Sequence, residues 1–192
     1  MDTAYSLPFL PHVPSPATTE LVADEAVWLA AARRGESWAL EAFYNGYQDR
    51  VFGLCRRLLI SPEDARDATQ VAFVRAFREL PKFRGHSTVR TWVYRIAVNE
   101  SLSMLRRRRE TVASLDENAT AGHGEPSLVE RLAVRAALDR TKPAHRAILV
   151  LRFWEGLSCE EIAVVLGISL SAVKMRLKRA RDEFREQYEV GL

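Results

Sequence analysis

The sequence predicts an all-α chain of two small helical domains joined by a flexible linker, the second containing a helix-turn-helix. Three observations carry that expectation. Apolar residues recur at three- and four-residue steps through most of the chain, and no segment alternates as a strand would. The stretch TVASLDENATAGHGEPS interrupts the periodicity with small, polar and turn-forming residues. Start and stop signals bracket the periodic segments. The expected divisions are a proline-rich disordered tail over 1–22, a first helical domain over 23–109, a linker over 110–127 and a second helical domain over 128–192.

Each element has a local reason. Pro8, Pro11, Pro14 and Pro16 prevent regular helix near the start and favour an extended tail. Asp24 is placed to cap a first helix that carries Val27, Trp28 and Ala31 and ends near Gly35. A second helix runs from near Ser37 toward Leu59. Its expected buried stripe is Leu40, Phe43, Tyr44, Tyr47, Val51, Leu54, Cys55 and Leu58. Ser61-Pro62-Glu63-Asp64 starts a third helix, with a capping hydroxyl, a proline in the first turn and acids against the helix dipole. That helix buries Ala65, Ala68, Ala72, Phe73, Ala76 and Phe77, and carries Asp64, Asp67 and Gln70 outside.

Phe83 to Thr88 reads as a loop, and Thr88 begins a fourth helix with Trp92, Ile96 and Leu102 on its apolar face. Arg90, Arg95 and the run Arg106 to Arg109 make that helix basic. Aromatic rings beside arginines suit single-stranded nucleic acid, while a core tryptophan and a solvated helix end account for the same pattern. Beyond the linker, Leu128 to about Arg140 is helical. Pro143 opens a further helix that passes Ile148 and Leu151 to Trp154, where Gly156 stops it.

The stretch LSCEEIAVVLGISLSAVKMRLKRAR then reads as two helices about a tight turn. Ser158 and Glu161 have capping-box spacing, Gly167 suits a left-handed helix end, and Ser169 caps the second helix. Ala172, Val173, Leu177 and Ala180 face inward. Lys174, Arg176, Lys178, Arg179 and Arg181 follow with no acid between Ser169 and Arg181. Caps, spacing and one-sided charge favour a DNA-binding helix-turn-helix over a helical hairpin with a solvated basic face.

Composition excludes several classes. The net charge of +3 and pI near 9.1 are modest, so charge distribution rather than total charge carries the argument. Cys55 and Cys159 lie far apart in helical patterns and read as small buried thiols, not a disulfide or zinc site. His12, His86, His123 and His145 have no ligand spacing. No phosphate-cradling loop, catalytic carboxylate pair or nucleophile motif is present, so no cofactor, metal or catalytic residue is expected. With no convincing secretory leader and no bilayer-length apolar run, the expectation is a cytoplasmic protein without membrane insertion.

In this order the segments resemble a bacterial RNA polymerase sigma factor of the extracytoplasmic-function group of the sigma-70 family, over about Asp24 to Gln187. DARDATQVAFVRAF (Asp64 to Phe77) resembles the core-polymerase-binding helix. FRGHSTVRTWVYRIAVN (Phe83 to Asn99) resembles the segment that recognises the −10 element, and the helix-turn-helix resembles the −35 reader. The resemblance implies a promoter-specificity subunit rather than an enzyme. Asp64, Asp67 and Gln70 would meet the β′ clamp helices of core RNA polymerase, and the C-terminal domain would sit on the β flap. The loop Phe83, Arg84, Gly85, His86, Ser87 and Thr88, with Arg90, Trp92, Arg95 and Asn99, would take the single-stranded −10 element, including an extruded base. Ser171, Lys174, Met175, Lys178 and Arg179 would approach double-stranded −35 DNA, with Arg176 on phosphate.

Two departures matter within that resemblance. Housekeeping factors carry two adjacent tryptophans at the melting edge where this chain has Trp92-Val93, which implies weaker melting and strict dependence on both promoter elements. His86 stands where the group often has an acid. Regulation by an anti-sigma factor is a further implication. The competing reading, a one-component regulator, would need an upstream ligand or receiver domain of α/β character, which the helical first half does not offer.

Overall fold

The computed structural model describes residues 25–111 and 126–190. The proline-rich tail, the Asp24 cap and most of the expected linker lie outside the described residues. Those described form eight α-helices: α1 Glu25–Arg33, α2 Ser37–Leu58, α3 Pro62–Glu79, α4 Val89–Thr111, α5 Pro126–Arg140, α6 Pro143–Phe153, α7 Cys159–Leu166 and α8 Leu170–Glu189. A 3₁₀ turn, Leu80–Lys82, follows α3. α4 and α5 encroach on the expected linker from both ends, because the arginine-rich end of α4 and the proline at the start of α5 are both compatible with helix.

In the N-terminal half α2, α3 and α4 pack against one another. The Phe43 ring is central: Trp28, Tyr47, Phe73, Phe77 and Trp92 have ring centroids within 5.3–6.2 Å of it. Ala65, Ala68, Ala72 and Ala76 line the buried side of α3, where small side chains let the helices approach closely. α3 starts as its sequence dictates, with Pro62 in the first turn and Ser61 Oγ accepting from the Asp64 amide at 3.2 Å. Trp28 pins α1 onto α2 by donating Nε1–H to the Ala39 carbonyl at 2.8 Å. One stripe residue departs from expectation. Tyr44 is exposed, at the rim of the α2–α3 contact with its ring edge-on to Phe73 at 4.9 Å.

The second core gathers Ile148, Leu149 and Leu151 from α6 with Ile162, Val165, Leu177 and Phe184. α8 is twice the length a reading helix needs, and its second half lies against α5, with Phe184 and Tyr188 buried. Cys55 is buried as expected, whereas Cys159, the first residue of α7, is half-exposed.

The two halves meet over a continuous apolar core, with polar contacts around it. α4 lies against α7, and α2 against α6. The last carbonyls of a helix have no partner within it. At the end of α2 they find cations from the other half: Arg135 donates to the carbonyls of Arg56 and Leu59, and buried Arg146 to that of Leu58 at 2.8 Å. Tyr94 of α4 donates its hydroxyl to buried Glu155 at 2.6 Å, and Arg57 stands 3.6 Å from the same carboxylate. Arg90 of α4 pairs with Glu161 of α7 at 3.2 Å.

Candidate nucleic-acid and polymerase interfaces

The helix-turn-helix is built by local chemistry. Ser158 Oγ accepts from the Glu161 amide and the Glu161 carboxylate accepts from the Ser158 amide, a complete capping box. Gly167 ends α7 at φ +64°, a left-handed backbone that a β-carbon disfavours. Ser169 Oγ then accepts from the Ala172 amide and starts α8. Val173, Leu177 and Ala180 face the core, which turns Ser171, Lys174, Met175, Lys178 and Arg179 outward together. Arg176 is half-buried at the edge of that face. Met175 is 59% exposed on that face.

The loop before α4 is assembled differently. Thr88 caps α4, its Oγ1 accepting from the Thr91 amide at 3.2 Å. At the other end the Phe83 ring is buried, packed on Trp92 at 5.0 Å. Between these fixed points Arg84, Gly85 and His86 arch into solvent, with Gly85 at φ +75°. Arg95 and Asn99, one turn apart on α4, are exposed. Arg90 is half-buried and held by Glu161. Of the residues expected at the single strand, Phe83 is thus a core anchor. Trp92 is half-buried with its ring set between Phe43 and Phe83. Aromatic identity alone does not distinguish a stacking platform from a core ring.

Sequence reasoning missed Arg33. It reaches from the last turn of α1 and donates to the Phe83 carbonyl, bracing the loop from behind. No spacing rule joins residues fifty positions apart, so no local signal could have found it.

The third face lies on α3. Asp67 and Gln70 are exposed, while Asp64 is half-buried and bound by Arg108 from the far end of α4. Asp64 therefore ties two helices of its own domain. Beside Asp67 and Gln70 stand Val71 and Val74, 47% and 45% exposed. Val74, Gln70 and Tyr44 border a groove of about 470 Å³ between α2 and α3, floored by Phe52, Phe73 and Phe77. The pair of exposed valines at helical spacing from Asp67 was legible in principle, as an apolar interruption of an outward face.

Two family models match the chain: Sigma-70 region 2 over residues 43–111 and Sigma-70 region 4 over residues 131–184. The RNA polymerase sigma factor YlaC of Bacillus subtilis (strain 168) is 35% identical over 157 residues, covering 77% of this chain and 91% of that protein. This chain is a sigma factor. It belongs to the extracytoplasmic-function group of the sigma-70 family.

Further relatives agree. The ECF RNA polymerase sigma-E factor of Haemophilus influenzae is 32% identical over 180 residues, covering 85% of this chain and 94% of that protein. Among solved structures, CnrH in complex with the cytosolic domain of CnrY is 26% identical, covers 85% of this chain and 96% of that one, and gives a TM-score of 0.66. The sigma factor therefore acts in promoter recognition and transcription initiation as a non-catalytic specificity subunit of RNA polymerase. Among the described residues, no group of three or more His, Cys, Asp or Glu side chains is placed to hold a metal, and no helix is long and apolar enough to cross a membrane.

Proposed function

We propose that the sigma factor docks on core RNA polymerase through α3, reads duplex −35 DNA with α8 and takes the −10 single strand on the loop 83–88 and α4. The observation that carries this reading is the one-sided surface of α8. Its inward face is core, and its outward face presents Ser171, Lys174, Met175, Lys178 and Arg179. Arg179 is the expected base reader, able to hold guanine O6 and N7 together, and Met175 the expected contact to a thymine methyl. Arg176, at the edge of the face, reaches phosphate.

Exposed Val71 and Val74 of α3, with Tyr44 of α2, offer the apolar area for the β′ clamp helices, and Asp67 and Gln70 orient them. The β flap takes the C-terminal domain. At the −10 side Arg84, Gly85, His86, Ser87 and Thr88 surround the extruded base, with Arg95 and Asn99 following the strand along α4. The proposed domain limits are 23–109 and 128–192, and the proposed site of action is the cytoplasm. An anti-sigma protein belongs to the same reading, supported by the similar structure of the sigma factor RpoE of Bartonella quintana in complex with the anti-sigma factor NepR.

Run-off transcription on a promoter library, with purified core polymerase and this protein, tests the assignment. Initiation should depend on the protein and require shared −35 and −10 sequences. Arg179→Ala should relax −35 selectivity by about 1–3 kcal/mol at one position, whereas Arg176→Ala should weaken all sequences alike. Equal, sequence-independent losses at both positions would overturn the −35 assignment, and unchanged holoenzyme assembly by Asp67→Ala would remove Asp67 from the polymerase contact.

A further inference from the structure

We propose that residues 6–14 seat in the α2–α3 groove of the same molecule, as a polyproline II segment that core polymerase has to displace. The displacement rests on the α3 docking assignment above, whereas the contact within the chain stands without it.

The first argument is a repeat in the sequence. Ser6-Leu7-Pro8, Phe9-Leu10-Pro11 and His12-Val13-Pro14 are three successive copies of one pattern, in which an aliphatic residue precedes each proline. Polyproline II has three residues per turn, so the repeat gives it three unlike edges. Pro8, Pro11 and Pro14 form one edge, and Leu7, Leu10 and Val13 a second. Ser6, Phe9 and His12 form the third. Proline fixes its own φ and biases the residue before it toward the same region, so two of every three residues favour this backbone before any contact is made. Prolines alone would serve a spacer. The aliphatic edge beside them adds a surface that gains by leaving water.

The second argument is the groove. Its volume of about 470 Å³ is in the range of cavities that hold ligands. Phe52, Phe73 and Phe77 floor it, and Tyr44 stands exposed at its rim. Aromatic-lined grooves take proline-rich segments, because rings pack on pyrrolidines and on the aliphatic side chains between them. A polyproline II backbone makes no internal hydrogen bonds and leaves its carbonyls as acceptors. Gln48 on the α2 wall, Gln70 on the α3 wall and the Tyr44 hydroxyl place donors beside the rings.

The third argument is reach. α1 begins at Glu25, and its Trp28 ring lies 5.7 Å from that of Phe43. Phe43 in turn lies 5.7 Å from Phe73 and 5.9 Å from Phe77, both in the groove floor. The start of the first helix thus stands two ring contacts from the groove. Residues 15–24 span about 30 Å at the polyproline II rise, enough to turn back to it. So short a tether gives an effective concentration on the order of millimolar, so a weak contact is populated. Val74 and Gln70, at the groove, adjoin Val71 and Asp67 on the face offered to the clamp helices, so a seated segment covers part of that face.

The test uses the full chain without polymerase. Val74→Cys and Val71→Cys place a thiol on the same exposed face of α3, but only position 74 borders the groove. Iodoacetamide alkylation is followed at each position by mass spectrometry, apart from Cys55 and Cys159. Adding Leu10→Asp, on the aliphatic edge, should speed alkylation at position 74 about fivefold and leave position 71 unchanged. Pro11→Ala should act in the same direction by a smaller factor, and His12→Ala, on the third edge, should do nothing. A synthetic peptide of residues 5–16, at millimolar concentration, should slow position 74 again in the Leu10→Asp chain. No response to either Leu10→Asp or Pro11→Ala, or an equal response at positions 71 and 74, would overturn the proposal. Protection that fades on dilution would give the groove to a second copy and overturn the contact within one chain. Leu10→Asp should also tighten binding to core polymerase several-fold. If alkylation responds and polymerase binding does not, the seated segment stands and the assignment of α3 to polymerase fails.

Discussion

The proposed −35 and −10 readers of this sigma factor both lie on basic helices, yet they are made in opposite ways. The helix-turn-helix closes within 25 residues: Ser158 and Glu161 start α7, Gly167 ends it, Ser169 starts α8, and the heptad-like spacing of Val173, Leu177 and Ala180 aims the basic face outward. The −10 side has no such closure. Its loop hangs from Phe83, whose ring rests on Trp92 and whose carbonyl is held by Arg33 from another helix, while Arg90 is engaged by Glu161 from the other domain. A local reader is specified by caps and periodicity. An assembled reader is specified by packing, so changes remote in sequence can disable it.

That contrast can be broken by substitutions that should act on one side alone. The largest effect is expected from Phe83→Ala, which removes a buried ring and should cost about 3–5 kcal/mol. Thermal unfolding should show the loss, and −10 selectivity should disappear while −35 binding by the residual folded protein persists. Survival of −10 selectivity would mean the loop is not hung from the core. Next, Gly167→Val forces a β-branched residue into the left-handed turn at φ +64°, a strain of about 1–2 kcal/mol. Footprinting should lose the −35 contact with the N-terminal core intact. An unchanged melting midpoint and footprint would show that the turn tolerates other backbones.

A smaller effect sharpens the comparison. Arg33→Gln removes one hydrogen bond to the loop, worth about 1 kcal/mol, and should relax −10 selectivity several-fold in transcription without touching −35 selectivity. Equal relaxation at both elements would make Arg33 a general stabiliser instead.

The smallest concerns Glu155, where the two halves join. Burial, the largest influence, raises the Glu155 carboxyl above its ordinary 4.5, against the Tyr94 hydroxyl and Arg57, Arg90 and Arg50, which draw it down. An acid whose pKa is higher in the folded chain takes up a proton on folding. The penalty Glu155 places on folding should therefore be largest above the raised pKa and fade as pH falls through it toward 4.5. Thermal unfolding across that window should show the gain, and Glu155→Gln should flatten the trend. An unchanged trend in that variant would assign the titration to another group.

Much of the fold was legible because helices are local objects. The caps at Ser61, Ser158 and Ser169, the stop at Gly167, and the inward alanines of α3 all follow from near neighbours in sequence. The candidate site was legible where reading residues share one helix face, as in α8. It was less so where side-chain identity is ambiguous. Phe83 and Trp92 are aromatic in a basic segment, which suits base stacking and core packing equally, and the contact of Phe43 with Trp92 sets the latter ring partly inside. Asp64 and Asp67 are three residues apart on one helix, but only the structure shows that Arg108 engages the first and leaves the second exposed.

The sequence by itself determined the all-helical class, the two-domain plan, the caps and turn of the helix-turn-helix, and the sigma-factor family. These rest on periodicity, capping and motif order, all of which act over a few residues. Tertiary structure alone decided which rings are buried, that Val71 and Val74 accompany Asp67 on an exposed face, that Arg33 braces the −10 loop, and that α4 and α7 meet where the two halves join. Those outcomes depend on which helix faces are brought within a few ångströms of each other, and side chains fifty or more residues apart meet only when the chain has folded.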